Sequence, residues 1–124
     1  MVVLVDTCGW IEWLTNGALS ERYAPYFEEP EAIIVPTAVQ FELYKWVRRE
    51  RDEAVALEAV ALTEQGLVQA LTTAIALLAA EQALTKGLSF ADALIYATAR
   101  YRNADLVTSD AHFEGLAGVT LFGK

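Results

Sequence analysis

Short apolar runs alternate along the chain with longer stretches in which apolar residues recur at helical spacing. Most of the short runs contain β-branched side chains and are bordered by a polar residue, Pro or Gly, which is typical of buried β-strands. The pattern predicts five strands, at residues 1–5, 33–35, 67–71, 106–108 and 119–121.

The longer stretches have the period of amphipathic helices. Trp10 and Trp13 share one face of the first helix, which ends at Asn16-Gly17, and we assign both rings to packing rather than to base stacking. The Ala, Val and Leu spacing predicts further helices over residues 20–27, 37–51, 52–64, 73–86 and 89–102.

Strands that are apolar throughout, and that are separated by helices, are typical of a parallel sheet covered on both faces. We therefore predict an α/β fold: a three-layer α/β/α sandwich with a central parallel sheet of four to five strands. At 124 residues, 55% of them hydrophobic, the chain is expected to form one domain over residues 1–124. Such sheets bind ligands beyond the carboxyl ends of their strands.

Composition excludes several classes of protein. The single Cys8 cannot form an internal disulfide or a thiolate metal site, which favours a reducing, cytoplasmic location. The longest charge-free stretch, residues 65–80, is too short and too polar to span a membrane, and no basic segment precedes the first apolar run as in a signal peptide. The net charge of −8 opposes binding of nucleic acid unless cations are concentrated locally.

Four acidic residues occur where apolar residues would be expected. Asp6 and Asp110 follow predicted strands, whereas Glu42 and Asp92 lie beside the apolar faces of predicted helices. If they converge at the sheet edge, four negative charges meet in one crevice, which is unfavourable without cations. Mg²⁺ prefers such carboxylate oxygens, and a bound divalent ion promotes hydrolysis of phosphodiesters.

Each of these acids also has a purely structural interpretation. Asp6 and Asp110 are suited to capping a helix or turn. Asp92 forms a capping-box pattern with Ser89, and Glu42 is three residues from Lys45, which suits an intrahelical ion pair.

Four segments in order along the chain resemble the PIN domain, and most closely the VapC-type toxins of toxin–antitoxin pairs. They are VLVDTCGWIEWL, PTAVQFELYKWV, LSFADALIYATA and LVTSDAHFEGL. The resemblance implies Mg²⁺- or Mn²⁺-dependent cleavage of RNA and a cognate antitoxin as the protein partner. It places the metal-binding and catalytic acids at Asp6, Glu42, Asp92 and Asp110, with Thr108 and Thr7 in supporting positions. Cys8 stands where the family often has Ser.

A basic cluster, residues 45–51, contains four of the nine cationic side chains. We predict that Lys45 and Arg49 contact the RNA backbone, although a solvated face paired with neighbouring acids explains the cluster equally well. The acidic surface elsewhere suits a basic antitoxin segment. The high apolar content further predicts a homodimer.

Two alternative functions share this fold class. An aspartate-based phosphatase needs a second Asp two residues after the first, where this chain has Cys8, so that alternative is disfavoured. A PIN-like module that binds nucleic acid or protein without catalysis would use the acids only as caps. His112 is the single histidine; we do not assign it the role of general base, because a metal ion can acidify water without an imidazole. Glu114 is a weaker candidate as an additional acid.

Overall fold

The computed structural model describes residues 2–123 and contains a five-stranded sheet in which every strand pair is parallel. The strand order is β3-β2-β1-β4-β5. The strands are β1 (Val3–Val5), β2 (Ile33–Pro36), β3 (Leu67–Gln69), β4 (Asp105–Thr108) and β5 (Val119–Leu121). The helices are α1 (Thr7–Leu14), α2 (Ser20–Phe27), α3 (Thr37–Glu50), α4 (Glu53–Thr63), α5 (Thr73–Lys86) and α6 (Phe90–Tyr101). The predicted three-layer α/β/α fold is confirmed.

The central strand β1 forms the middle of the core. Leu4 pairs in register with Ile34 of β2 on one side and Leu106 of β4 on the other, and all three side chains are fully buried. The chain moves outward from β1 to β2 and β3 in one direction, and from β4 to β5 in the other. The strand order therefore reverses between β1 and β4, and the carboxyl ends of these two strands form the crevice in which α/β sheets bind ligands.

Local signals explain where several helices begin and end. The side chain of Asp52 accepts a hydrogen bond from the Val55 amide and caps α4, so the predicted break near Arg51 is correct. Thr72 caps α5 in the same way, and Gly87 ends α5 with a positive φ of 68° that disfavours most other residues. α5 and α6 pack together around a second, smaller core.

The third strand differs from the prediction in length and burial. It covers Leu67–Gln69 only and lies at the sheet edge, so Leu67 and Val68 are partly exposed instead of buried. The first strand begins at Val3, and Met1 lies outside the described residues. Within residues 2–123, no helix is long and apolar enough to cross a membrane.

Candidate metal-binding cleft

One cleft of about 260 Å³ opens beside the carboxyl end of β1. All four predicted acids line it, and so do both predicted RNA-contacting cations. The lining residues are Asp6, Thr7, Cys8, Ile11, Glu42, Lys45, Trp46, Arg49, Asp92 and Asp110. Asp6 and Asp92 are 86 residues apart in the sequence. The packing of β1, α1, α3 and α6 brings them to the same cleft.

Asp6 is the most buried of the four acids, with 5% of its surface exposed. One carboxylate oxygen, Oδ1, accepts the Thr7 amide at 2.8 Å and caps α1, and the other, Oδ2, accepts the Thr108 hydroxyl at 2.8 Å. The structural interpretation of Asp6 as a cap is therefore correct, and the same side chain also lines the cleft. Burial raises the pKa of Asp6 to about 6, against the opposing effect of these hydrogen bonds.

Repulsion from the neighbouring acids is a minor cause of the raised pKa of Asp6. The negative charges of Glu42 and Asp92 raise the pKa of Asp6 further, but desolvation by burial is the larger cause. An ionised Asp6 is therefore costly mainly because the fold removes it from water, and a cation in the cleft would offset that cost.

Glu42 projects from α3 to the start of α1. Its Oε1 accepts the Thr7 hydroxyl at 2.6 Å, so Thr7 donates its amide to Asp6 and its hydroxyl to Glu42. Lys45 forms no ion pair with Glu42 in the described part of the chain, and the intrahelical pair suggested by their spacing is absent there. Thr7 instead fixes the two carboxylates relative to each other.

Asp92 and Asp110 both contact His112, which lines a cavity next to the cleft. The His112 Nδ1 lies 3.3 Å from an oxygen of Asp92 and 3.2 Å from an oxygen of Asp110. Asp110 also caps the short turn of residues 111–113 by accepting the His112 amide at 2.9 Å. Ser89 forms no side-chain cap, so the capping-box interpretation of Asp92 is wrong, and the Asp92 carboxylate contacts His112 instead.

A series of hydrogen bonds connects the Tyr23 hydroxyl to the Asp6 carboxylate. The Tyr23 hydroxyl donates to Ser109 Oγ at 3.1 Å, Ser109 Oγ to Cys8 Sγ at 3.4 Å, and Cys8 Sγ to Asp6 Oδ2 at 3.6 Å. Burial raises the pKa of the Cys8 thiol, which keeps it protonated as a donor. The sequence did not indicate that Tyr23 or Ser109 supports the site, because only the tertiary fold brings Tyr23 of α2 into contact with Ser109, which follows β4.

The other residues singled out in the sequence lie in the core, at the surface or beside a neighbouring cavity. Trp10 is buried in the core and Trp13 stacks on Phe27 with ring centroids 4.1 Å apart, which confirms packing as their role. Arg49 pairs with Glu50 at 3.1 Å on an exposed surface, so the solvated-face interpretation describes part of the basic cluster. Glu114 lines a neighbouring cavity rather than the cleft.

The donor set fits a hard divalent cation. Ligand atoms of Asp92, Asp110 and His112 all lie within 4.8 Å of one another. Asp92 and Asp110 line the cleft together with Asp6 and Glu42, whereas His112 lines an adjacent cavity that it shares with Asp92. Oxygen donors suit Mg²⁺ or Mn²⁺, and the imidazole is acceptable to Mn²⁺ more than to Mg²⁺. Fold and cleft together define an α/β protein with an acidic site at the topological switch point.

The family of the chain follows from its sequence. The family model of the PIN domain matches residues 3–119, and the chain belongs to this family. No curated protein sequence matches the chain significantly.

Three solved structures share the fold at low sequence identity. The chain is similar to a toxin–antitoxin complex from Klebsiella pneumoniae, with a TM-score of 0.78, 22% identity and 95% of each chain covered. It is also similar to VapC20 of Mycobacterium tuberculosis, described as a toxin that cleaves the sarcin-ricin loop, with a TM-score of 0.79, 20% identity, and 94% of this chain and 96% of that chain covered. A DNA-bound VapBC complex from Salmonella typhimurium has a TM-score of 0.75, 19% identity and 98% coverage of both chains.

Proposed function

We propose that this protein is a Mg²⁺- or Mn²⁺-dependent endoribonuclease and the toxin of a type II toxin–antitoxin pair. The observation that carries the proposal is the convergence of Asp6, Glu42, Asp92 and Asp110 in one cleft at the switch point of the sheet. Membership of the PIN domain family supports nuclease activity. The similar folds of the VapC proteins support the toxin assignment.

In this proposal Asp6, Asp92 and Asp110 would hold the metal ion, and Glu42 would complete the ligand set or orient the attacking water. A bound divalent ion supplies positive charge to the phosphodiester and lowers the pKa of water. Thr7 and Thr108 hold the carboxylates of Glu42 and Asp6 through hydrogen bonds of 2.6 and 2.8 Å. These bonds leave fewer orientations open to the ligands, which is the usual role of hydroxyls behind metal-binding acids.

Lys45 and Arg49 lie on the rim of the same cleft, where they contact the RNA backbone in this proposal. Water attacks the phosphorus in line and the ribose 3′ oxygen leaves. The products then carry 5′-phosphate and 3′-hydroxyl ends, because the ribose 2′-hydroxyl takes no part.

The proposed partners are an RNA substrate, a basic antitoxin and a second copy of the chain. The net charge of −8 suits a cationic antitoxin segment, which would also compensate the acids of the cleft. Exposed apolar side chains on and next to α5, namely Leu77, Leu84 and Phe90, favour a homodimer. A reducing cytoplasm is the proposed location of the complex.

A matched pair of variants tests the proposed site. Glu42→Gln removes one charge from the cleft, whereas Glu81→Gln removes the same charge from an exposed position on α5. We expect Glu42→Gln to lower Mn²⁺-dependent cleavage of RNA at least a hundredfold and Glu81→Gln to leave it within twofold. Equal cleavage by the two variants would refute the site. Absence of cleavage by the parent protein itself would favour a PIN-like binding module without catalysis.

A further inference from the structure

A second cavity of about 770 Å³ runs between α3 and α4. Its floor is apolar and includes Phe41 and Tyr44 of α3 together with Leu57 of α4. The Phe41 side chain is 65% exposed and Leu57 is 53% exposed, so two large apolar side chains from facing helices are open to solvent in one place. We call this cavity the α3–α4 groove.

The α3–α4 groove is continuous with the acidic cleft. Lys45 and Arg49 line both cavities, so they form the border between the two. Arg48 lines the groove only. Lys45 lies over the Phe41 ring, with Nζ 5.5 Å from the ring centroid, and neither Lys45 nor Arg48 has an ion-pair partner within the described residues 2–123.

The border between the groove and the cleft is positively charged, whereas the chain as a whole is negatively charged. The chain carries a net charge of −8, yet three of its nine cationic side chains line the groove at one end of α3. Two of these three cations, Lys45 and Arg48, have no ion-pair partner in the part of the chain that the structure describes, whereas Arg49 pairs with Glu50.

The three cations lie beside the exposed Phe41 ring and the partly buried Tyr44 ring. Cations beside aromatic rings are the combination that binds single-stranded nucleic acid, since the cations contact phosphates and every base can stack on a ring. An apolar peptide would cover the floor but would leave Lys45 and Arg48 without charged partners.

We propose that the α3–α4 groove binds the unpaired RNA strand on one side of the scissile phosphodiester. Phe41 and Tyr44 stack on nucleobases, Lys45 and Arg49 contact the phosphate at the border, and Arg48 contacts the next phosphate outward. This inference rests on the proposed function, because the strand in the groove is the one whose phosphodiester occupies the cleft. It assigns to the enzyme a binding subsite for RNA that lies outside the cleft and next to it.

RNA binding is measured by fluorescence anisotropy with a labelled mixed-sequence RNA of twelve nucleotides in Mn²⁺. The Asp6→Asn background keeps the strand intact, which a gel verifies. Phe41→Ala tests stacking, and Tyr101→Ala is its control: Tyr101 is 52% exposed and lies at the opposite end of α6 from Asp92. Arg48→Gln tests the phosphate contact, and Arg22→Gln, on the exposed surface of α2, is its control.

We expect Phe41→Ala to weaken binding about tenfold and Tyr101→Ala to leave it within twofold. Arg48→Gln should reduce the slope of log K against log salt by about 0.7, the value for one phosphate contact on a single strand. A blunt RNA duplex of the same sequence should bind more weakly and be insensitive to Phe41→Ala.

Binding that is unchanged in both test variants, or absent in the starting protein, would overturn the proposal. So would a Phe41→Ala protein that binds RNA normally but loses a dimer in sedimentation experiments, because the groove would then be an interface between copies of the chain. Cleavage is a separate readout. A chain that never cleaves RNA but shows the predicted loss of binding keeps the groove and refutes only the nuclease.

Discussion

Replacement of Asp6 by Asn should stabilise the metal-free protein while abolishing its activity. The folded state raises the pKa of this carboxyl from 3.8 to about 6, mainly through burial. The folded protein therefore binds the Asp6 proton more tightly than the unfolded chain does. The stability linked to Asp6 is complete below pH 3.8 and is lost as the pH rises to about 6.

The size of the effect follows from the same two values. At about 1.4 kcal/mol for each pH unit, the ionised side chain costs the fold about 3 kcal/mol at pH 8. Asn keeps an oxygen for the Thr7 amide but presents NH₂ to the Thr108 hydroxyl in place of the second acceptor, which costs about 1 kcal/mol. We expect a net gain of about 2 kcal/mol at pH 8 and about none near pH 4.5.

Urea unfolding in the presence of a chelator, at pH 8 and pH 4.5, measures this difference. Asp52→Asn is the matched control, because Asp52 also caps a helix but is exposed; its stability should change by less than about 1 kcal/mol, equally at both pH values. The reasoning is refuted if Asp6→Asn is less stable than the parent protein at pH 8, or if its gain is the same at both pH values.

Three further predictions concern metal, the support of Asp6 and assembly. Mn²⁺ at a hundred times its dissociation constant should stabilise the parent protein by about 2.7 kcal/mol relative to chelator, and identical melting temperatures in the two conditions would contradict a metal site. Tyr23→Phe removes the hydroxyl that begins the hydrogen-bond chain to Asp6 and should lower kcat severalfold with little change in KM; Cys8→Ser, which keeps a donor, should retain activity, whereas Cys8→Ala should not. Sedimentation equilibrium should show a dimer at micromolar concentration, and Leu84→Glu should convert it to monomer; a parent protein that is monomeric would refute the dimer.

The order and type of the elements could be predicted from the sequence because local and global signals agree. The apolar run of β2 lies between two prolines. Gly87 ends α5 in the left-handed backbone conformation, which favours glycine. The edge position of β3 could not be predicted, because Leu67 and Val68 look like residues of a buried strand and only the strand order shows that β3 has a neighbouring strand on one side alone.

The residues of the candidate site could be predicted from the sequence, but their contacts could not. The four acids could be singled out because each is out of place in an apolar pattern or follows a strand. Which structural interpretation applied to each acid depended on tertiary contacts: Asp6 does cap α1, Asp92 forms no capping box, and Glu42 bonds to Thr7 rather than to Lys45. The contact of His112 with both Asp92 and Asp110 likewise depends on how α6 and the turn after β4 meet.

The chemistry of the cut ends tests the central claim most directly. The parent protein and Asp6→Asn are incubated with a pool of cellular RNA in Mn²⁺ or in chelator, and the ends of the fragments are identified by mass spectrometry. The proposed mechanism predicts 5′-phosphate and 3′-hydroxyl ends that form only with the parent protein and only in Mn²⁺. Fragments that carry 2′,3′-cyclic phosphate, or that form in chelator or with Asp6→Asn, would contradict hydrolysis by water in the acidic cleft.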